Sequence, residues 1–130
     1  MKKKILIVAS NYYKAITKNL IDDANNLFQS KKYNITTIMV PGTFEIPYVI
    51  SKNIKKYDGF LVLGCVIKGE TPHFDFICKS TFDAIMQLSI ANKKPIGNGI
   101  ITSLNKDQAN KRSLLKGKES SQALIDILKI

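Results

Sequence analysis

The sequence predicts a three-layer α/β/α sandwich built on a four-stranded parallel sheet, and three observations lead to this fold class. Short runs rich in β-branched residues alternate with longer segments whose apolar residues recur at helical spacing. The runs are almost continuously apolar, as in strands that helices cover on both faces. The 130 residues, 45% of them hydrophobic and 23% charged, suit a single domain spanning residues 1–130.

The first half of the chain contains two strand-then-helix units. Ile5–Ala9 predicts a strand, and Ala15–Phe28 carries apolar residues at helical spacing. Asn34–Val40 is again strand-like and ends at a Pro-Gly pair. Phe44–Ile54 then predicts a helix, because Pro47 falls in its first turn, where proline is tolerated.

The second half continues the alternation with two strands and three helical segments. They are, in chain order, Gly59–Ile67, Pro72–Ala91, Ile96–Thr102, Lys106–Leu115 and Ser120–Leu128. The last two segments are predicted as separate helices because Lys116-Gly117-Lys118 interrupts the pattern.

The charge balance is strongly basic, with a formal net charge of +10. Such a balance suits phosphate-bearing partners. The lysines, however, are spread from Lys2 to Lys129 among many Ile and Asn residues, which indicates compositional drift rather than one patch. We therefore expect neither nucleic acid nor a membrane as a partner. Arg112 is the only arginine, so one position alone offers a planar fork for bidentate oxyanion binding.

Several other classes of protein do not fit the sequence. No apolar stretch approaches the length of a membrane span, and Ile5–Ala9 is too short for a signal peptide. Cys65 and Cys78 lie too far apart for a CxxC motif, so we expect a cytoplasmic protein with reduced thiols. Dinucleotide and P-loop glycine motifs are missing. The first acidic residue is Asp22, which excludes the carboxylate cluster of a magnesium-dependent phosphoacceptor domain.

Ligands of parallel α/β sheets bind outside the carboxyl ends of the strands. The segments to consider are therefore those that follow the predicted strands. They are Ser10–Tyr13, Pro41–Pro47, Lys68–Asp75 and Asn98–Ser103. Each contains polar residues or Gly and Pro signals that a plain connection does not require.

The third of these junctions predicts a helix N-terminus that points at the ligand edge of the sheet. Thr71 is a good N-cap and Pro72 suits the first helical position. The free N–H groups and the dipole of such a terminus bind anions, including phosphate. An ordinary, well-capped helix explains the same pattern equally well.

His73, the only histidine, falls in the first turn of that helix. The positive end of the helix dipole favours a neutral imidazole, which can accept and return a proton. A histidine without any function is the alternative. A metal site is not expected, because no second histidine exists and Cys65 and Asp75 lack recognisable ligand spacing.

The first two junctions offer groups for a polar, flat ligand. Glu45 either complements the helix dipole or accepts hydrogen bonds from a polyol, while the Thr43 and Phe44 backbone binds ligand heteroatoms. Tyr12 and Tyr13 follow the first strand, where a ring can stack on a heterocycle or pack into the core.

Taken together, three segments resemble the 6,7-dimethyl-8-ribityllumazine synthase family, whose members catalyse the penultimate step of riboflavin biosynthesis. They are VPGTFEIP at Val40–Pro47, GCVIKGETPHFD at Gly64–Asp75 and PIGNGIIT at Pro95–Thr102. The resemblance runs nearly end to end. It implies a flavodoxin-like sandwich that assembles into homopentamers, as such or within decamers or 60-subunit shells, with each active site between neighbouring subunits.

The resemblance also implies a reaction. The family condenses 5-amino-6-(D-ribitylamino)uracil with 3,4-dihydroxy-2-butanone 4-phosphate and releases phosphate and water. No metal and no cofactor are implied.

Positions that match the family's substrate-binding residues occur at all four junctions. They are Tyr12, Thr43, Phe44, Glu45, Cys65, Val66, Ile67, Glu70, Thr71, Asn98 and Arg112. The resemblance implies that Tyr12 stacks on the pyrimidine, Thr43–Glu45 bind the ribityl side and Cys65–Ile67 line the ring pocket. It places Glu70-Thr71 in the phosphate-binding turn.

The remaining matches concern proton transfer and the neighbouring subunit. His73 matches the residue that moves protons, and Asn98 and Arg112 match positions supplied by the adjacent subunit. After Arg112, the stretch Ser113–Glu119 departs from the small-residue, glycine-bearing segment of the family, which leaves the role of Lys116 open. The first strand begins almost at the N-terminus, which favours a pentamer or decamer over a closed shell.

Two other functions compete with this interpretation. A non-catalytic relative that binds flavin or lumazine would use the same pocket. A basic nucleic-acid-binding domain would show an affinity that falls steeply with salt, but the scattered lysines disfavour it.

Overall fold

Strands and helices alternate along residues 2–130, the part of the chain that a computed structural model describes. The elements are β1 (Lys4–Ser10), α1 (Lys14–Ser30), β2 (Asn34–Val40), a 3₁₀ turn (Thr43–Glu45), α2 (Ile46–Asn53), β3 (Gly59–Ile67), α3 (His73–Asn92), β4 (Ile96–Ser103), α4 (Lys106–Arg112) and α5 (Lys116–Leu128). The four strands form one sheet in the order β2-β1-β3-β4, and every neighbouring pair is parallel.

Both faces of the sheet are buried, as the continuous apolar runs predict. Ile5 and Ile7 point into a cluster with residues of α1 and α5, whereas Leu6 and Val8 point into a second cluster with residues of α2 and α3. Successive side chains of a strand face opposite ways, so one apolar run serves both clusters. The three-layer α/β sandwich is thereby confirmed.

The observed strands agree closely with the predicted ones, and β2 and β3 have the predicted bounds. The predicted helix Phe44–Ile54 is instead divided into the 3₁₀ turn and α2. The Glu45 N–H donates to the Gly42 carbonyl at 3.2 Å, which tightens the turn, and Pro47 occupies the start of α2, where its missing N–H costs no hydrogen bond.

The predicted interruption at Lys116-Gly117-Lys118 is wrong. The break lies at residues 113–115, and Gly117 is in the first turn of α5. A Cβ on Gly117 would lie 2.7 Å from the Leu20 carbonyl oxygen of α1. Close packing of α5 on α1 therefore requires glycine here, and tertiary contact outweighs the low helix propensity of glycine.

None of the helices within residues 2–130 is long and apolar enough to span a membrane.

Candidate active site

A cleft of about 740 Å³ opens at the carboxyl edge of the sheet, where the strands end. It lies beside β1 and β3, which are adjacent in space although β2 separates them in the chain. Connections leave these two strands toward opposite sides of the sheet, which opens a crevice at their carboxyl ends. The volume suits a small heterocyclic ligand.

The cleft brings together predicted residues from three junctions. Tyr12 follows β1, Thr43–Glu45 follow β2, and Cys65–Ile67 end β3. His73, at the start of α3, completes this set. Residues 61 positions apart in the sequence thus share one cavity because parallel strands end at the same edge.

Below the cleft, β1 and β3 approach each other closely at Ser10 and Gly64. A Cβ on Gly64 would lie 3.0 Å from the Cβ of Ser10 and 3.4 Å from Thr43 Oγ1. Glycine at this position therefore lets the buried Thr43 turn pack against the ends of both strands. The Asn11 N–H also donates to the Val40 carbonyl at 2.8 Å, which ties the end of β1 to the end of β2.

The two tyrosines at the first junction have different environments. Tyr12 is 72% exposed, so it is not a core residue, and its ring is free to stack on a ligand. Tyr13 is half-buried against the core and meets Tyr12 edge-on, with ring centroids 4.9 Å apart. Burial, followed by the proximity of Tyr12 and Cys65, raises the pKa of Tyr13. The half-buried Tyr13 ring thus packs against the exposed Tyr12 ring.

Cys65 lines the cleft with a protonated thiol and is not a nucleophile. Only 4% of the residue is exposed, and burial raises the pKa of its thiol to about 11. Since the thiolate is the reactive form, the thiol is inert near neutral pH.

The start of the helix at the third junction differs by one residue from the prediction. Helix α3 begins at His73 with Pro72 as N-cap, one residue later than predicted. Thr71 still contributes, because its Oγ1 accepts the His73 N–H at 3.4 Å. Glu70 and Thr71 are exposed and lie three and two residues before His73, but they do not line the cleft.

Arg112 and Asn98 lie away from the cleft within one chain. Arg112 lines a second cavity of about 300 Å³ with Lys116 and Glu119, and its Nη1 donates to the Thr102 carbonyl at 2.8 Å. Asn98 is exposed on β4, where its Oδ1 accepts the Ile100 N–H at 3.0 Å. The fold therefore gathers one group of predicted residues and leaves these two outside it.

Four further residues line the cleft to which the resemblance assigned no role: Tyr13, Pro41, Gly42 and Ile77. Ile77 was detectable from the sequence, since it lies four residues after His73 and hence on the same helix face. Pro41 and Gly42 belong to the predicted ligand-edge segment Pro41–Pro47, and Tyr13 was predicted either to stack on a ligand or to pack into the core.

Among residues 2–130, no group of three or more His, Cys, Asp or Glu side chains is placed to hold a metal ion. The cleft offers an exposed aromatic ring, hydrogen-bonding groups and one imidazole.

The fold and the cleft together define a class of protein. A parallel sheet ordered β2-β1-β3-β4, with its cleft beside β1 and β3, is the arrangement of flavodoxin-like small-molecule-binding domains.

Comparison with known proteins gives the family. The family model described as 6,7-dimethyl-8-ribityllumazine synthase matches residues 2–130, and the chain belongs to this family. A protein of that name from Bartonella tribocorum is 40% identical over 118 residues, which cover 87% of this chain and 78% of the relative. Relatives of the same name from Limosilactobacillus reuteri and Leuconostoc mesenteroides are 36% and 37% identical, and each comparison covers 98% of this chain and 88% of the relative.

Proposed function

We propose that the chain is a transferase that condenses 5-amino-6-(D-ribitylamino)uracil with 3,4-dihydroxy-2-butanone 4-phosphate to give 6,7-dimethyl-8-ribityllumazine. The observation that carries this proposal is the cleft at the ends of β1, β2 and β3. It unites Tyr12, Thr43–Glu45, Cys65–Ile67 and His73, which match functional positions of the family that the chain belongs to.

Each part of the cleft suits one part of the pyrimidine substrate. The exposed Tyr12 ring stacks on the uracil, and Cys65–Ile67 form the wall of the ring pocket. Thr43–Glu45 hold the ribityl chain, whose hydroxyls pair with the carboxylate and the backbone.

The first chemical step needs no nucleophile from the protein. The substrate's own amine attacks the ketone, and loss of water gives an imine. The neutral thiol of Cys65 agrees with this, since covalent catalysis would require a thiolate. Holding the two reactants in one orientation supplies most of the rate enhancement.

The later steps need an anion site and a proton carrier. Elimination breaks the C–O bond to phosphate, and the resulting enol tautomerises. The second amine then attacks the remaining carbonyl and closes the ring with loss of another water. We assign phosphate binding to Glu70, Thr71 and Arg112, where the start of α3 and a guanidinium stabilise the leaving dianion. His73, which lines the cleft, carries the protons.

We further propose that Asn98 and Arg112 reach the cleft of a neighbouring subunit in a cytoplasmic homopentamer. Two features support this. Arg112 lines a cavity other than that of His73, and large apolar side chains are exposed near both cavities, such as Phe44 at the first and Leu115 at the second. Exposed apolar side chains beside a cavity are typical of protein interfaces.

A direct assay tests the activity. Purified protein is mixed with both substrates, and formation of the fluorescent lumazine is followed, with His73→Ala and Arg112→Ala alongside. Turnover well above the uncatalysed condensation supports the proposal. Tight binding of the lumazine without turnover would instead identify a non-catalytic binding relative.

A mixing experiment tests the shared site. His73→Ala and Arg112→Ala chains are co-expressed with different tags, and the mixed oligomers are purified. If each site takes His73 from one subunit and Arg112 from its neighbour, about a quarter of the sites in randomly mixed rings are intact. If each site were contained in one chain, the mixed oligomers would recover no activity. Sedimentation velocity distinguishes a pentamer from a decamer or a 60-subunit shell.

A further inference from the structure

A pair of lysines precedes each of the four strands. Lys2-Lys3 lie before β1, Lys31-Lys32 before β2, Lys55-Lys56 before β3 and Lys93-Lys94 before β4. Because the strands are parallel, all four pairs meet at the amino edge of the sheet, where the strands begin, opposite the cleft. The interpretation of the lysines as scattered is therefore wrong for these eight residues.

Two open grooves lie beside these lysines, and two of the pairs share the first groove. Lys2-Lys3 and Lys31-Lys32 line a groove of about 450 Å³ together with Tyr33. A second groove of about 460 Å³ contains Lys4, Lys56 and Tyr57. The order β2-β1-β3 of the strands makes these grooves adjacent along the amino edge.

The fourth pair continues the same row. Lys94 Nζ donates to the Tyr57 carbonyl at 2.8 Å, which fixes the start of β4 beside the second groove. Strands lie about 4.8 Å apart, so the four pairs form a row of about 15 Å. A row of this length accommodates a few consecutive phosphates of an extended strand.

No ion pair within residues 2–130 neutralises a lysine of this row. Within residues 2–130 the three ion pairs involve other lysines, and seven of the eight side chains are exposed, Lys94 being half-buried. The carboxylate at these junctions, Asp58, accepts the Lys4 N–H at 2.7 Å. The C-termini of α1, α2, α3 and α5 lie here as well, the last with Asp126, and each terminus carries only about half a negative charge. These negative charges offset the eight lysines only in part.

Each groove combines its lysines with one tyrosine ring held in place by the core. Tyr33 meets Phe28 edge-on at 5.8 Å, and Tyr57 meets Phe60 edge-on at 6.0 Å. Both tyrosines are half-buried, so each ring is fixed while part of it faces its groove. Basic grooves with aromatic rings are typical of surfaces that bind single-stranded nucleic acid.

We propose that the amino edge binds single-stranded nucleic acid, with phosphates on the lysine pairs and bases against Tyr33 and Tyr57. A duplex keeps its bases stacked inside, and an inorganic polyphosphate has no bases, so neither uses the rings. Lysines supply point charges rather than bidentate forks, and the chain's only arginine lies at the opposite edge, so binding is tolerant of sequence.

Fluorescence anisotropy with a labelled 12-nucleotide RNA of mixed sequence tests the proposal. With about four phosphate contacts, the affinity falls about 50-fold between about 50 and 200 mM salt. Replacing Lys31, Lys32, Lys55 and Lys56 by Gln weakens binding about tenfold or more and halves the salt slope. The matched control replaces Lys14, Lys106, Lys111 and Lys118 by Gln, which removes the same charge from the other end and leaves binding within about twofold.

A second variant separates stacking from charge. Tyr33→Leu with Tyr57→Leu keeps apolar contacts to the core, lowers RNA affinity about fivefold or more and leaves the salt slope unchanged. Equal binding by the two lysine variants, or tighter binding to the matching duplex, to polyphosphate or to anionic phospholipid vesicles, overturns the proposal. Thermal melting and lumazine formation, both unchanged in the lysine variant of the amino edge, show that its loss of binding is not a loss of fold.

Discussion

The two edges of one sheet are built from the same strands and yet differ in the residues that line their cavities. At the carboxyl edge, singular residues such as His73 adjoin a largely apolar cleft, and Arg112 lies in a cavity nearby. At the amino edge, one residue type recurs in pairs, as in Lys31-Lys32. Helix N-termini meet the first edge and helix C-termini the second, because each connecting helix runs back across the sheet.

This difference teaches how each kind of residue is to be interpreted. A single histidine that lines a cleft can be held in one geometry toward a bound ligand, which suits chemistry. Repeated lysines lack such geometry and act through their summed field, which suits a polymer of repeated charge. If the two edges are independent, a change at one edge leaves the function of the other edge unaltered.

Replacing Arg112 by Ala should lower kcat/KM by about 100-fold, because a charge-assisted hydrogen bond to phosphate is lost. The KM for the butanone phosphate should rise most, while RNA binding at the amino edge should not change. Lys106→Ala, an exposed cation six residues earlier, is the control and should stay within about twofold. Full phosphate-substrate affinity in Arg112→Ala would remove this residue from the site.

The labelling of Cys65 by iodoacetamide should rise by about 90-fold between about pH 8 and pH 10, since the thiolate fraction below a pKa of about 11 increases nearly tenfold per pH unit. A thiol with the ordinary pKa near 8.5 would gain only about fourfold over the same range. Peptide mass spectrometry separates Cys65 from Cys78. A plateau of the Cys65 rate near pH 9 would contradict the buried, neutral thiol.

Replacing His73 by Ala should lower kcat between about 10- and 100-fold and leave both KM values nearly unchanged, because the imidazole moves protons but does not hold the substrates. Asp75→Asn, an exposed change two residues later, serves as control. Steady-state kinetics of lumazine formation provide the measurement. A change in KM alone would assign His73 to binding.

Replacing Tyr12 by Ala should weaken binding of the ribitylaminouracil by about five- to tenfold through loss of ring stacking, whereas Tyr12→Phe should bind nearly as well as the original chain. Titration calorimetry with the pyrimidine alone measures both. If the two variants behave alike, the Tyr12 ring does not contact the ligand.

Replacing Lys93 by Gly should raise the free energy of unfolding by about 1 kcal/mol, because Lys93 has a φ of 53°, in the left-handed region that glycine adopts without strain. The neighbouring change Lys94→Gly should destabilise, since the Nζ bond to Tyr57 is lost and the backbone gains freedom. Urea unfolding compares the two. A less stable Lys93→Gly would show that the left-handed turn costs nothing with lysine.

The strands were the most predictable part of the chain. Gly59–Ile67 was found with its final bounds because a buried parallel strand needs a continuous apolar run that few other structures share. Helix ends were less predictable, as Pro72 and Gly117 show. A capping or breaking residue has a local preference of about 1 kcal/mol, which packing elsewhere in the fold readily overrides.

Eight of the residues that line the cleft were predicted from the sequence, but which junctions share the cleft was not. The segments around Thr43 and His73 stood out because each follows a strand and begins a helix. Arg112 lies in a separate cavity because of the path of β4 and α4. No local sequence pattern predicts that path.

The sequence by itself determined the alternation of strands and helices, the ligand edge and the residues able to carry the chemistry, because these depend on local propensity and on the order of segments. Only the tertiary structure decided which junctions meet in one cleft, why α5 needs Gly117 against α1, and that lysine pairs far apart in the chain form one row. Strand order and helix packing set these distances, and both arise from contacts between residues remote in sequence.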